Sequence, residues 1–355
     1  MKIVHVVYSL EMGGAESLVA QLCHLQRANG HQVSVCAYSN VGTLGESIRG
    51  DGFRIDLLGE ASLFGTMLRC YKLFRQLRPD VVHCHNPAPT IQAAMAARLT
   101  GVSSILSTRH SLVAPPYNKV EEVKFNLFAL FCDWIVGICD ATCENLRHTP
   151  LAPRSRIVRV YNGTDRIEPV QPDRKPPKRG FTLLFVGRLV EIKDLPVLIN
   201  AIALALPFVP GLNLWLVGDG SSRAELQDLA NRLGITEQIS FWGERLDVAR
   251  FFSSADVYAM SSVSEGLPMS LLQAMSIGLP ALVTDVGGMA EVVRNSNCGL
   301  RVSVGDPAAM ADAIVQMASN PEALAEFSAN ALSAYNANFT LEQMDAAYMQ
   351  LYQPK

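Results

Sequence analysis

No stretch of this chain approaches the roughly 18 consecutive apolar residues that a membrane-spanning helix needs. The opening apolar run is cut short at Glu11 and its valines alternate as a strand would, so no secretory leader is expected. A positive surplus is missing too. The net charge is −3, whereas a nucleic-acid binder is usually basic overall. The eight cysteines contain no C-x-x-C pair and no framework-like spacing, so they read as free buried thiols in a reducing compartment. No G-x-G-x-x-G follows a strand, which excludes the dinucleotide fingerprint. No D-x-D occurs anywhere, so nothing suggests a carboxylate pair holding a divalent cation. With 49% hydrophobic and 18% charged residues, the chain is expected to fold around large buried sheets.

What is present is alternation. At 355 residues the chain fits two domains of roughly 150–200 residues each. Strand-like β-branched runs lie at Ile3–Tyr8, Gln32–Ala37, Arg54–Leu57, Val81–His85, Ser104–Thr108, Trp134–Ile138 and Ile157–Tyr161. Helical runs fall between them, among them Ala15–Asn29, Leu63–Arg78 and Thr90–Thr100. Arg166–Gly180 is rich in proline and charge, has no period, and reads as a linker. The pattern then restarts with strands at Thr182–Gly187, Asn213–Gly218, Ile239–Trp242, Val257–Met260 and Ala281–Thr284. Such parallel βαβ units predict two doubly wound α/β halves facing across a cleft, with ligands at the carboxyl ends of strands. The expected division is 1–165, a linker at 166–180, 181–337, and a final amphipathic segment at 338–355.

Three loops carry chemistry. Glu265-Gly266-Leu267-Pro268 is an acidic turn ahead of a short helical run, Ser270–Ser276, and the buried strand Pro280–Thr284. A carboxylate at the mouth of a helix, with glycines that admit close backbone approach, suits a phosphate and sugar site. Gly187-Arg188-Leu189 leaves a strand and reaches Lys193 five residues after Arg188. Arginine grips two phosphate oxygens and lysine supplies a compact charge, which is what a diphosphate needs. Gly13-Gly14-Ala15-Glu16 follows the first strand and opens a helix, so its N–H groups can face an anion. The loop at Gly218 is expected near a nucleotide. His83 and His85 alternate onto one face of a strand, but no further ligand accompanies them, so no metal site is expected. On Leu63–Arg78, the cations Arg69, Lys72, Arg75 and Arg78 oppose a stripe of Phe64, Met67, Leu68, Tyr71 and Phe74. Such a helix is either an ordinary surface helix or one that rests on anionic lipid.

These blocks closely resemble the retaining glycosyltransferases of the GT-B fold, family 4. Glu265 and Gln273 occupy the two ends of the family's E-x7-E signature, with glutamine in place of the second glutamate. Gly187-Arg188-Leu189 with Lys193 is similar to its G-R-L-x-x-x-K segment, and Gly13 to Glu16 to its G-G-A-E loop. Tyr161-Asn162-Gly163-Thr164-Asp165 and Gly305-Asp306-Pro307 extend the resemblance over nearly the whole chain.

The resemblance implies a metal-independent hexosyltransferase moving sugar from a nucleotide-diphosphate donor to a glycan or lipid-linked acceptor, as in polysaccharide or glycolipid synthesis. Arg188 and Lys193 would hold the pyrophosphate, Glu265 the donor sugar, Gln273 the ribose, and His110 would lie near the sugar. Gly187, Gly218, Gly266, Leu267 and Pro268 would line the donor site. Gly13, Gly14, Glu16, His85 and Asn86 would face the acceptor. The last helix would cross back onto the amino-terminal domain. The protein would be cytoplasmic, free or resting on the inner membrane face through helix 63–78. Two alternatives stay open: a nucleotide-sugar epimerase of the same fold, and an inactive sugar-nucleotide binder suggested by Gln273.

Overall fold

The computed structural model describes residues 1–11, 13–59, 61–112, 119–171, 176, 178 and 180–354. They divide into two units, Met1–Thr164 with Leu341–Lys355, and Asp165–Thr340.

The first unit alternates β1 (Lys2–Val7), α1 (Gly14–Ala28), β2 (Gln32–Ala37), α2 (Gly42–Gly50), β3 (Arg54–Leu57), α3 (Leu63–Leu77), β4 (Val81–His85), α4 (Pro87–Leu99), β5 (Ser104–Arg109), α5 (Lys119–Ala129), β6 (Trp134–Gly137), α6 (Asp140–His148) and β7 (Ile157–Arg159). All strand pairs are parallel, in the order β3-β2-β1-β4-β5-β6-β7. Central strands covered on both faces must be apolar throughout. β1 buries every residue after Lys2, and β4 is buried from end to end although two of its five residues are histidines. α4 starts at Pro87, whose missing N–H costs nothing in the first turn, and packs against both α3 and α5. Its apolar, alanine-rich sequence suits a helix covered on several sides.

The second unit repeats the plan with β8 (Thr182–Val186), α7 (Leu195–Ala205), β9 (Asn213–Val217), α8 (Arg223–Arg232), β10 (Ile239–Gly243), α9 (Ala249–Phe252), β11 (Val257–Met260), α10 (Met269–Ser276), β12 (Ala281–Thr284), α11 (Gly287–Ser296), β13 (Gly299–Val302), α12 (Pro307–Ser319) and α13 (Pro321–Asn338). Its parallel sheet runs β10-β9-β8-β11-β12-β13. The last helix, α14 (Leu341–Leu351), belongs to the first unit and packs on α1.

The linker expected at 166–180 is part of the second unit's packing where it is described. Ile167 N–H donates to Ser276 Oγ at 3.1 Å and Val170 N–H to Ser253 Oγ at 3.3 Å. Positions 172–175, 177 and 179 lie outside the described residues. Two elements differ from the sequence reading. β13 went unread because it is a four-residue edge strand, half exposed and without alternation. On α3 the buried face is Thr66, Met67, Cys70, Leu73 and Phe74, while Phe64 and Leu68 stand on the exposed side with the cations. The helical repeat of 3.6 residues, and not the three-residue spacing of the cations, decides this. All eight cysteines are buried thiols. Among the described residues no helix is long and apolar enough to cross a membrane.

Candidate functional site

In a sheet wound outward from its middle, the two strands at the switch in direction leave a crevice at their carboxyl ends. In the second unit these are β8 and β11. β8 runs on through Gly187 and Arg188 into a single 3-10 turn, Glu191–Lys193, and α7 begins only at Leu195. β11 runs on through Ser261–Pro268 into α10. The two loops are tied together: Ser261 Oγ donates to the Lys193 carbonyl at 2.9 Å, and Val263 N–H to the Ile192 carbonyl at 3.0 Å. Lys193 Nζ pairs with Glu265, and both side chains are largely buried. Ser262 Oγ donates to the same Glu265 oxygen at 2.9 Å, and Thr284 Oγ1 holds the Ser262 carbonyl at 2.6 Å. The carboxylate therefore has an ammonium and a hydroxyl as donors on a frame of three strands.

Lys193 turns to Glu265, while Arg188 is exposed and has no ion-pair partner among the described residues. Beside them lies the β9–α8 loop. A Cβ on Gly218 would come within 1.9 Å of the Gly187 carbonyl oxygen, and one on Gly220 within 2.3 Å of the Leu189 carbonyl oxygen. Only glycine lets these loops close, and Leu189 N–H then donates to the Asp219 carbonyl at 2.9 Å. Gly266 and Leu267 are buried, and the Gly266 carbonyl accepts from Gly288 N–H at 2.7 Å. Pro268 occupies the cap position of α10 with no side-chain cap. Gln273 lies in the second turn of α10, half-buried, and its amide makes no hydrogen bond among the described residues.

In the first unit the switch strands are β1 and β4. His5 and His83 are paired in register, and His85 follows two residues on. His5 is the residue sequence reasoning missed; its signal was a lone polar side chain inside an otherwise apolar strand. Donor atoms of His5, His83 and His85 lie within 4.8 Å of one another, which corrects the reading that no third ligand accompanies the pair. All six of their ring nitrogens are engaged in hydrogen bonds, however. His5 Nδ1 meets His85 Nε2 at 3.0 Å, His5 Nε2 meets Gln26 Oε1 at 2.9 Å, and His85 Nδ1 meets His110 Nε2 at 3.0 Å. His83 is held by Tyr352 OH at 2.8 Å and Thr108 Oγ1 at 2.7 Å. A cation would have to displace these partners. Burial lowers the pKa of His5 and of His110 to about 4, and that of His85 well below the usual histidine range. These rings are neutral near pH 7.

Asn86 positions His110. It adopts a left-handed backbone with φ of 72°, and its Oδ1 accepts from His110 N–H at 3.0 Å. Next to His110, Arg109 forms a buried two-pronged pair with Glu122, at 2.8 and 3.2 Å. Gly13 caps α1 without a side-chain bond, Gly14 begins the helix, and the Glu16 carboxylate folds back over Gly13. A separate hollow of about 400 Å³ lies by Pro169, Asp256, Gly278 and Pro280, at the opposite end of the second sheet from the Lys193–Glu265 pair.

Two family models match this chain: Glycosyltransferase Family 4 over residues 12–167 and Glycosyl transferases group 1 over residues 180–320. The Bacillus subtilis protein EpsD is 30% identical over 276 residues, spanning 70% of this chain and 72% of that protein. The lipopolysaccharide core biosynthesis glycosyltransferase LpsE of Rhizobium meliloti is 26% identical over 359 residues, the full length of both. Crystal structures of HepE from Anabaena with UDP and with UDP-glucose superpose with TM-scores of 0.87 and 0.86 at 18% identity, covering 99% of this chain and 99% and 98% of those. The chain therefore belongs to glycosyltransferase family 4: it is a sugar-transferring enzyme of the two-domain GT-B fold, related to enzymes of lipopolysaccharide and glycolipid synthesis.

Proposed function

We propose that this enzyme moves a hexose-type sugar from a nucleoside diphosphate sugar to a glycan or lipid-linked acceptor, with retention of anomeric configuration and without a metal ion. The observation that carries the reading is the Lys193–Glu265 pair beside exposed Arg188, at the carboxyl end of β8 and β11. Two cations compensate a leaving diphosphate, which is electrostatic stabilisation of charge developing in the transition state. Glu265 serves the sugar hydroxyls, and Gln273 the ribose. HepE, crystallised with UDP-glucose, supports a uridine-type donor class, and LpsE supports a lipid-linked acceptor. His110 serves the sugar, with Gly13, Gly14 and Glu16 on the acceptor side. Membership of the family sets aside the epimerase, and the Lys193–Glu265 pair weighs against an inactive binder.

Peripheral contact with anionic lipid at the inner membrane face fits α3. Phe64 is 77% and Leu68 44% exposed, and Lys72 and Arg75 stand exposed on the same helix. An apolar pair that inserts, flanked by cations worth about 1 kcal/mol each near the lipid surface, is the composition of an interfacial helix.

The test is product analysis with nucleotide sugars and lipid-linked acceptors in EDTA. Sugar on the acceptor with the donor's anomeric configuration is expected. An inverted product, an epimerised donor or a strict metal requirement would each overturn the mechanism.

A further inference from the structure

One buried hydrogen-bonded chain crosses the first unit from α14 to the carboxyl end of β5. Asp345 on α14 accepts from Gln26 Nε2 at 3.0 Å and from Asn29 Nδ2 at 3.2 Å. Gln26, on α1, meets His5, which meets His85, which meets His110, over contacts of 2.9, 3.0 and 3.0 Å. Gln26 and His5 are wholly buried, and His85 and Asp345 are 3% exposed. His110 Nδ1, at the far end, is buried and has no hydrogen-bond partner among the described residues.

The direction of this chain is determined by its anchor. An ionised carboxylate only accepts hydrogen bonds, so Gln26 must turn its NH2 toward Asp345 and its carbonyl oxygen toward His5. That oxygen also only accepts, so His5 carries its proton on Nε2 and leaves Nδ1 as an acceptor. The rings are neutral, with one N–H each. His85 must then donate from Nε2 to His5, and His110 from Nε2 to His85. His110 Nδ1 is left as a bare lone pair.

We infer that Asp345, through Gln26, His5 and His85, locks His110 in its Nε2–H tautomer, so that Nδ1 is a permanent acceptor for a hydroxyl of the bound sugar. The four are positioning residues, and only His110 meets substrate. A neutral ring free to choose its tautomer would present an N–H at Nδ1 part of the time and could take either a donor or an acceptor. The locked ring accepts only. It selects a sugar with a free hydroxyl at that position over its deoxy or O-alkylated analogue, because a buried acceptor left unpaired is costly. The fold then gains a reason to return its last helix to the first unit: Asp345 sits 319 residues from Gln26 in sequence.

The functional half rests on the reading of His110 as a sugar-facing residue; the tautomer half does not. Nitrogen-15 histidine NMR on the full chain without substrate tests the second directly. Wild type should show His5, His85 and His110 as Nε2–H tautomers. Asp345→Asn should invert all three. Its amide would accept from Asn29 and donate to Gln26, the Gln26 amide would flip, and each ring would take its proton on Nδ1. Adding Gln26→Glu to Asp345→Asn supplies a carboxylate that again only accepts from His5, and should restore the Nε2–H pattern in a chain that differs by one further atom type. A wild-type His110 with Nδ1–H, or an Asp345→Asn chain with unchanged tautomers, overturns the lock. In transfer assays, Asp345→Asn should lose about tenfold or more in kcat/KM for a hydroxylated donor, shrink its preference over the deoxy analogue, and recover in the double variant. Inverted tautomers with unchanged kcat/KM and unchanged preference would overturn the sugar contact while leaving the lock standing. Absence of turnover in every variant, wild type included, would count against the transferase reading and leave the NMR result to decide the lock.

Discussion

Lys193 is the residue where the charge balance is sharpest. In the free protein its ammonium is matched by Glu265, so an arriving diphosphate must compete with that carboxylate, while Arg188 is already exposed. Arg188→Ala and Lys193→Ala are each expected to lower kcat/KM by roughly 10² or more, measured with a nucleotide sugar at saturating acceptor; near-wild-type rates in both would remove the diphosphate assignment. Glu265→Gln takes away the competitor for Lys193 along with the sugar contact. Transfer should fall by roughly 10², yet calorimetry should find the affinity for bare nucleoside diphosphate unchanged or a few fold higher. A collapse of that affinity would put Glu265 in the nucleotide subsite. Gln273, half-buried with its amide unengaged, offers the reverse experiment. If it meets the ribose, Gln273→Glu should tighten nucleoside diphosphate binding by about 0.5–1.5 kcal/mol, the difference between charged and neutral acceptors, less some repulsion from the phosphates. Weaker binding would mean that the position is built around glutamine.

At the scale of elements, α3 shows how a pattern can be legible in type and mistaken in direction. Its extent could be read from the sequence, with Ser62 capping it by accepting from Gly65 N–H at 3.2 Å. Its buried face could not, since the cations do not all do the same thing. The Arg69 guanidinium donates to the Leu58 and Gly59 carbonyls, and Arg78 ends the helix in a left-handed conformation with φ of 49°. Phe64, Leu68, Lys72 and Arg75 all stand exposed, and they are the four proposed to meet lipid. Replacing these four by serine should abolish sedimentation with anionic liposomes and leave transfer to a water-soluble acceptor unchanged. Undiminished liposome binding would return α3 to the role of a surface helix.

At the scale of the molecule, all seven histidines fall in the first unit, and four of them form the buried cluster. A histidine held neutral in the fold but free to protonate when unfolded makes stability depend on acid. His5 and His110 are lowered from 6.5 to about 4, and burial, with the neighbouring rings, holds His83 and His85 well below the usual histidine value. Between those values the unfolded chain binds more protons than the folded one. Stability is therefore complete above about pH 6.5 and drains away as the pH falls toward about 4, by about 3 kcal/mol for a single such group across the window. Hydrogen exchange at pH 7, 6 and 5 should show protection falling first in Met1–Thr164, with the second unit, which contains no histidine, holding longer. Equal loss in both units, or none, would contradict the burial of neutral rings.

The alternation of strand and helix, the restart after a proline-rich segment and the three glycine-bearing loops are local signals. They depend on neighbours a few residues apart, and so the doubly wound plan and the place of Glu265, Arg188 and Lys193 on strand-end loops could be read before any coordinates. Pairings over distance could not. Lys193 and Glu265 are 72 residues apart and His5 and His85 are 80, and no periodicity marks either partner for the other. A lone histidine in an apolar strand looks the same whether it is a packing accident or a link in a chain. Strand register and the return of α14 decide that, because a hydrogen bond forms only where the fold brings donor and acceptor to within about 3 Å.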